Sequence, residues 1–342
     1  MRAAVDNPDT DLEVLTFEAD LGDAGRRLDH AVLRHAREIS GVSRTRVQRW
    51  IVDGFVTMNS TPVLRAGATV PSSARISVAL PPSARRRQRP GPEPGPLDIV
   101  FEDDQLLVLN KPAGLVVHPS YRNTTGTLLN RVLWHLRHHG SLTRPGLVSR
   151  LDKDTSGLVV VALTHDAHAQ IQRAADQGRV RKEYLAIVGG HPTPTAGRIM
   201  LPLRRDADDR RRVVVADDGA ASETRYNTLD ATSTAALLRC ELVTGRTHQI
   251  RVHLAASECP ILGDATYGVP VETLRRQALH AWRCALPHPL SGDRLTFYAP
   301  LPDDLQRAAT ALGLAVPGEG QDRRVGATTA RPTTVKPERP VR

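Results

Sequence analysis

Three cysteines in 342 residues, Cys240, Cys259 and Cys284, stand far apart with no C-x-x-C pair. That excludes a disulfide framework and a thiolate zinc site, and leaves reduced, structural thiols. Long apolar runs are missing too: residues 157–163 and 106–109 fall far short of the ~20 a membrane-crossing helix needs. The acidic N-terminus lacks the basic-then-apolar order of a signal peptide. A soluble, cytoplasmic protein with no membrane partner is expected. Neither G-x-x-x-x-G-K-[ST] nor G-x-G-x-x-G occurs, which removes the usual nucleotide-cofactor fingerprints. No repeat at a solenoid period is present. Lysine is scarce: of 46 basic residues only Lys111, Lys153, Lys182 and Lys336 are lysine.

What the chain has is segregated positive charge. The net charge is +9 and the pI near 10.1, a balance that points to a polyanionic partner. Residues 1–23 form an acidic segment, with one arginine against seven acids. Residues 24–80 carry nine arginines against three acids, and four more arginines fall in 81–96. The 81–96 stretch is Pro/Arg-rich and reads as an extended linker between domains. Residues 316–342 are rich in Pro, Thr and Arg and poor in large apolar residues, so a disordered tail is expected. A globular domain fills 97–315.

In the small basic module, Leu28, Ala31, Val32, His35 and Ile39 recur at helical spacing. A second helix follows with Ser43 as N-cap, Val42 and Val47 as a hydrophobic staple, Trp50 and Ile51 inward, and Gly54 as the stop. Arg44, Arg46 and Arg49 then project outward as candidate phosphate contacts. Short strands follow at 55–58 and 75–80. The order RLDHAVLRHAREISGVSRTRVQRWIVDGFVTMNSTPV resembles the RNA-binding domain named after ribosomal small-subunit protein four, an α-L fold. That resemblance implies RNA contacts from the second helix and the Gly54–Asn59 turn.

The large domain reads as α+β around a mixed or antiparallel sheet: strands at 157–163, 182–188, 222–229, 236–243, 279–286 and 294–298, and helices at 128–138, 165–175 and 247–257, with no regular βαβ alternation. Thr247 is the expected cap of the last helix. Three polar clusters interrupt the apolar strands: Ser149-Arg-Leu-Asp-Lys-Asp-Thr-Ser-Gly157, Arg181-Lys-Glu-Tyr-Leu185 and Thr244-Gly-Arg-Thr-His-Gln-Ile-Arg-Val-His253. Each alone is compatible with a solvated turn, an inward-packed strand residue or a surface ion pair.

Together, S-R-L-D-K-D-T-S-G-L, R-K-E-Y-L-A-I-V and T-G-R-T-H-Q-I-R-V-H…P-I-L-G-D resemble the RluA/RluD family of pseudouridine synthases. N-K-P-A-G-L at 110–115 and L-H-A at 279–281 fit the same family. The resemblance implies conversion of uridine to pseudouridine in RNA, with ribosomal RNA favoured over transfer RNA, by a monomer needing no metal or organic cofactor. It implies that Asp152 is the catalytic carboxylate, Arg251 its basic partner and Tyr184 the active-site phenol. It implies too that Arg150 inserts where the extruded base was. Asn110, Lys111, Arg246, His248 and Gln249 are expected to support the site. One departure stands out: the family's usual His before Arg-Leu-Asp is Ser149 here.

The reaction needs a carboxylate for the sugar or base, shelter for detached uracil, and extrusion of a stacked base. Attack on the sugar and abstraction of a sugar proton to give a glycal both fit the sequence. Asp152 and Asp154 at i, i+2 cannot flank a substrate as a glycosidase pair does, so Asp154 is expected to order the loop. His135, His138 and His139 lack a ligand pattern for a metal. The rival readings are a catalytically silent RNA-binding or ribosome-assembly protein on the same fold, and a hydrolase of N-glycosidic bonds.

Overall fold

The computed structural model describes residues 14–317 apart from 21, 37–38, 40–41, 81–89, 120–124, 141–144, 210 and 273. The chain divides into two compact units, residues 1–89 and 90–342. The tail beyond 317 and the first half of the linker lie outside the described residues.

In the first unit, helices α1 (Leu28–His35) and α2 (Arg44–Val52) pack on a four-stranded antiparallel sheet. Its strands are β1 (Val14–Glu18), β2 (Val56–Met58), β3 (Thr61–Pro62) and β4 (Arg75–Ala79), in the order β1-β4-β2-β3. Ser43 caps α2 as its spacing predicts, its hydroxyl accepting from Arg46 N. The described part of the acidic segment, from Val14, is not separate from the basic module, because β1 pairs along its whole length with β4. Its charge concealed an alternating strand whose Phe17 stacks on His35. Asp23, buried and held by Arg34 and His35, ties the same segment to α1.

The second unit is built on a ten-stranded mixed sheet. In chain order its strands are β5 (Ile99–Glu102), β6 (Leu106–Lys111), β7 (Gly146–Leu147), β8 (Ser156–Ala162), β9 (Arg181–Gly189), β10 (Ala196–Ile199), β13 (Thr224–Ala231), β14 (Ala235–Leu242), β15 (Leu279–Pro287) and β16 (Arg294–Tyr298). The path runs β10-β13-β14-β9-β15-β8-β6-β5, with β16 on β15 and β7 on β8. A hairpin of β11 (Leu203–Arg205) and β12 (Val213–Val215) stands apart. Helices α3 (Leu128–His138), α4 (His165–Asp176), α5 (Gln249–Ala256) and α6 (Asp303–Ala311) complete the α+β architecture expected from the sequence.

Strand β8 is apolar at nearly every position because both its faces are covered. Its Val159 and Val161 join Leu107, Leu109 and α3 in one core, while Leu158, Val160 and Ala162 join Leu106, Val108 and α4 in another. Residues 90–96 are not a free spacer. Asn130 Nδ2 donates to Gly91 O, Gly126 N to Glu93 and Arg131 to Pro96 O, which fastens this stretch to α3.

One junction positions the site. Strands β8 and β15 meet in parallel only at Ser156–His280 and Gly157–Ala281. Gly157 sits at φ +108, and a Cβ there would lie 2.2 Å from Ala281 O, so no other residue permits this approach.

Candidate active site

Asp152 lies in the loop between β7 and β8, and each of the four residues after it is held. Lys111 Nζ donates to Lys153 O at 2.9 Å, and Arg276 Nη1 to Asp154 O at 3.2 Å. Gln277 Nε2 donates to Thr155 Oγ1 at 3.1 Å. Ser156 Oγ meets His280 Nδ1 at 2.9 Å. His280 Nε2 lies 3.1 Å from Ala299 O, an acceptor only, so Nε2 carries the proton and Nδ1 accepts from Ser156. Burial pulls this imidazole down to about 4, which keeps it neutral. Lys111 is fully buried and donates also to Pro112 O and Leu115 O; burial pulls its ammonium down to about 7. Arg276 is itself clamped by a bidentate pair with Asp304 of α6.

Arg251 brings the distant segments together. Its Nη1 donates to Asp152 Oδ2 at 2.9 Å, while Nε and Nη2 fork onto Asp264 at 2.6 and 2.8 Å. Asp264 is buried, and Thr266 N and Tyr267 N also donate to it. Burial alone would raise its pKa, but the Arg251 fork and these N–H groups hold it below the carboxylate range. The guanidinium is in turn held charged by its two carboxylates and lies 5.0 Å from the centre of the Tyr267 ring.

His248 flanks the same carboxylate, its Nε2 3.8 Å from Asp152 Oδ1. It occupies the N-cap of α5 at φ +55, without a side-chain cap. Thr247 is therefore not the cap. Gln249 Oε1 accepts from Thr244 Oγ1 and Arg246 N, closing the 244–249 turn so that the helix begins later than the sequence pattern suggests. Tyr267 hydroxyl accepts from Val213 N at 2.7 Å and lies 2.9 Å from His248 Nδ1. The other ring nitrogen, Nε2, is the one nearer Asp152. Burial lowers the His248 pKa, which favours the neutral ring.

Asp152, Tyr184, Arg150, Arg246 and His248 line one cleft of about 730 Å³, within the range of about 300–1,000 Å³ typical of ligand sites. A recess of about 60 Å³ shares these residues and adds Arg251. Tyr184 is buried on β9, and desolvation raises its phenol pKa, so it is a neutral proton donor or acceptor. Arg150 is exposed. Ser149 lines the cleft and accepts from Val160 N at 3.4 Å, a contact that joins the loop to β8.

Three expected residues stand elsewhere or act differently. Asn110 is not at the site: its amide donates to Asp98 across the β5–β6 hairpin. Arg44 does not project freely, because its Nε donates to buried Asp29, which also takes the Arg27 fork and Gln48. Gln249 is buried and bonds the turn and Thr224; it lines the smaller recess with Asp152 and Arg251, and acts there by holding the turn. Arg46 lies over the Trp50 ring and Arg49 pairs loosely with Asp53. His135 is met by Glu102 of β5, a carboxylate remote in sequence. Sequence reasoning assigned no role to Asp264, Tyr267 or Arg276. Asp264 ends the quoted P-I-L-G-D and Tyr267 follows three residues on, but only the fold shows what they touch.

Fold and site together place a carboxylate, paired with a buried arginine, in a cleft of nucleotide size. The family model for RNA pseudouridylate synthase matches residues 105–256, and the chain belongs to that family. It is 40% identical over 304 residues to ribosomal large subunit pseudouridine synthase D of Nitrosomonas europaea, across 84% of this chain and 85% of that one. The protein of the same name from Zymomonas mobilis is 38% identical over 300 residues, covering 82% and 92%. Among solved structures, human RNA pseudouridylate synthase domain containing 4 is similar at 29% identity and a TM-score of 0.54, over 65% of this chain and 95% of that one. The protein is an RNA pseudouridine synthase.

Proposed function

We propose that this enzyme isomerises uridine in large-subunit ribosomal RNA, with Asp152 as its catalytic carboxylate. The observation that carries the assignment is the Arg251–Asp152 pair: the guanidinium holds Oδ2 at 2.9 Å, Oδ1 lies 3.8 Å from His248 Nε2, and Asp152 lines the cleft together with His248 and Tyr184. The carboxylate is a quarter exposed, so it is both fixed and reachable.

Isomerisation breaks the N1–C1′ bond, turns the uracil, forms C5–C1′ and moves a proton from C5 to N1, with no redox change. The fixed Asp152 carboxylate acts on the ribose, and Arg251 keeps it oriented. Tyr184 supplies a ring beside the base and a hydroxyl that relays the C5 proton. Arg150 fills the stack left by the extruded uridine, since a guanidinium can stack on bases and bond phosphate together. The substrate follows the relatives' printed names, and the basic N-terminal unit supports a second RNA grip through Arg46 and Arg49 of α2.

The test is tritium release from ribosomal RNA carrying [5-³H]uridine, together with pseudouridine mapping in cells with and without the protein. Release abolished by Asp152→Asn with RNA binding retained supports the assignment. Binding without release by the wild type returns the silent RNA-binding reading, free uracil returns the hydrolase, and loss of pseudouridine confined to transfer RNA changes the substrate.

A further inference from the structure

Among the cations that line the cleft, Arg150, Lys182, Arg205 and Arg246, the lysine has no part in the chemistry above. Lys182 lines it, two residues before Tyr184 on β9 and hence on the same strand face. Its cross-strand neighbour on β15 is Cys284, a buried thiol pushed up to about 11 and therefore uncharged. Among the described residues Lys182 has no hydrogen-bond or ion-pair partner. Asp176 of α4 lines the same cleft without forming an ion pair with it. The side chain is half-buried, and desolvation pulls its pKa down.

An ammonium kept partly out of water with no counter-charge is costly unless a ligand supplies one. Every other charged group that holds the catalytic loop is committed: Lys111 to three carbonyls, Arg251 to two carboxylates, Arg276 to Asp304. Lysine is also chosen here in a chain whose basic residues are otherwise almost all arginine. Uracil and ribose are neutral, so the anion available in the substrate is the phosphodiester.

We propose that Lys182 is a phosphodiester-binding subsite of the cleft, taking a non-bridging oxygen of a phosphate that flanks the target uridine. The contact fixes the strand where it bends to deliver its nucleotide to Asp152, so Lys182 is a positioning residue. This rests on the reading that the RNA substrate enters the cleft beside Asp152.

The test uses the full-length enzyme, Lys182→Met, which keeps the apolar stem, and Lys182→Arg, which keeps the charge. For each, KM and kcat on a ribosomal RNA fragment are measured together with the salt dependence of binding. Lys182→Met raises KM about tenfold or more with a smaller change in kcat, and lowers the slope of log K against log [salt] by about 0.7–0.9, the loss of one phosphate contact. Lys182→Arg keeps the wild-type slope. A packing role would alter melting temperature or kcat and leave the slope unchanged, which overturns the proposal. A contact to a uracil carbonyl would raise KM with no change of slope and overturns it as well. Neutral methylphosphonate linkages placed in turn on each side of the target uridine test the wild type without any variant. One of them should reproduce the KM and slope changes, and no effect at any position refutes the subsite. Wild-type enzyme that releases no tritium would instead sink the catalytic reading, a separate outcome.

Discussion

Replacing Arg251 with Met separates what the buried ion pair does for folding from what it does for catalysis. The variant leaves Asp264, 1% exposed, with two backbone N–H donors and no cation. Removing one partner of a buried pair costs about 3–5 kcal/mol, because the remaining charge is uncompensated. For a unit the size of residues 90–342 this corresponds to a fall in melting temperature of about 6–20 °C. Adding Asp264→Leu removes the orphaned charge and should restore most of that loss. Activity should not return, since Asp152 still lacks its guanidinium; kcat stays down about a hundredfold or more.

The pH dependence changes sign between the two proteins. In the wild type, Asp264 has its pKa depressed below the ordinary 3.8, so its stabilising contribution is complete above that value and is lost as pH falls through the folded pKa. In Arg251→Met the same carboxyl is desolvated without a cation, its folded pKa lies above 3.8, and stability rises as pH falls through that higher value. Calorimetry from pH 3 to 8, with tritium release on the same samples, reads both effects. A double variant no more stable than the single one, or a single variant with unchanged melting temperature, would refute the reasoning.

Other outcomes follow from the same geometry. Gly157→Ala should cost at least about 3 kcal/mol and abolish activity, because its methyl meets Ala281 O at a backbone dihedral that L-residues avoid; a normal melting curve would contradict the β8–β15 contact. Lys111 titrates near 7 when folded and near 10.5 when unfolded, so between those values the unfolded chain holds the extra proton and stability rises with pH; Lys111→Met should erase that slope in chemical denaturation at pH 6.5 and 9.5. Arg46→Glu with Arg49→Glu should weaken RNA binding and flatten its salt dependence without changing kcat at saturating RNA, whereas unaltered binding curves would remove the first unit from RNA recognition. Asp304→Asn should lower kcat severalfold through Arg276 and Asp154 O while KM stays near its wild-type value, which steady-state kinetics will check.

Much of the fold was legible because local physics and global packing agree. Strands such as β8 and β14 carry apolar runs that only a covered sheet can use, and the Ser43 cap was signalled by residue type and spacing. Strand β1 was hidden because its acids dominate the composition of its segment, while its alternation has meaning only beside β4. The β11–β12 hairpin was missed for a similar reason: its two strands are short, and their roles lie in Val213 N and the nearby Arg212, which reach Tyr267.

The sequence by itself determined the family, since an Arg-Leu-Asp loop, a Lys-x-Tyr strand and a Thr-His-Gln-Ile-Arg turn mark it whatever their distance along the chain. Tertiary structure alone decided which groups hold them. Asp264 and Asp304 look like ordinary surface acids in one dimension, and Asn110 looks like a site residue. Their roles depend on which guanidinium or carboxylate lies within 3 Å, and that follows from how the sheet brings Gly157 against Ala281 and turns three remote segments toward one cleft.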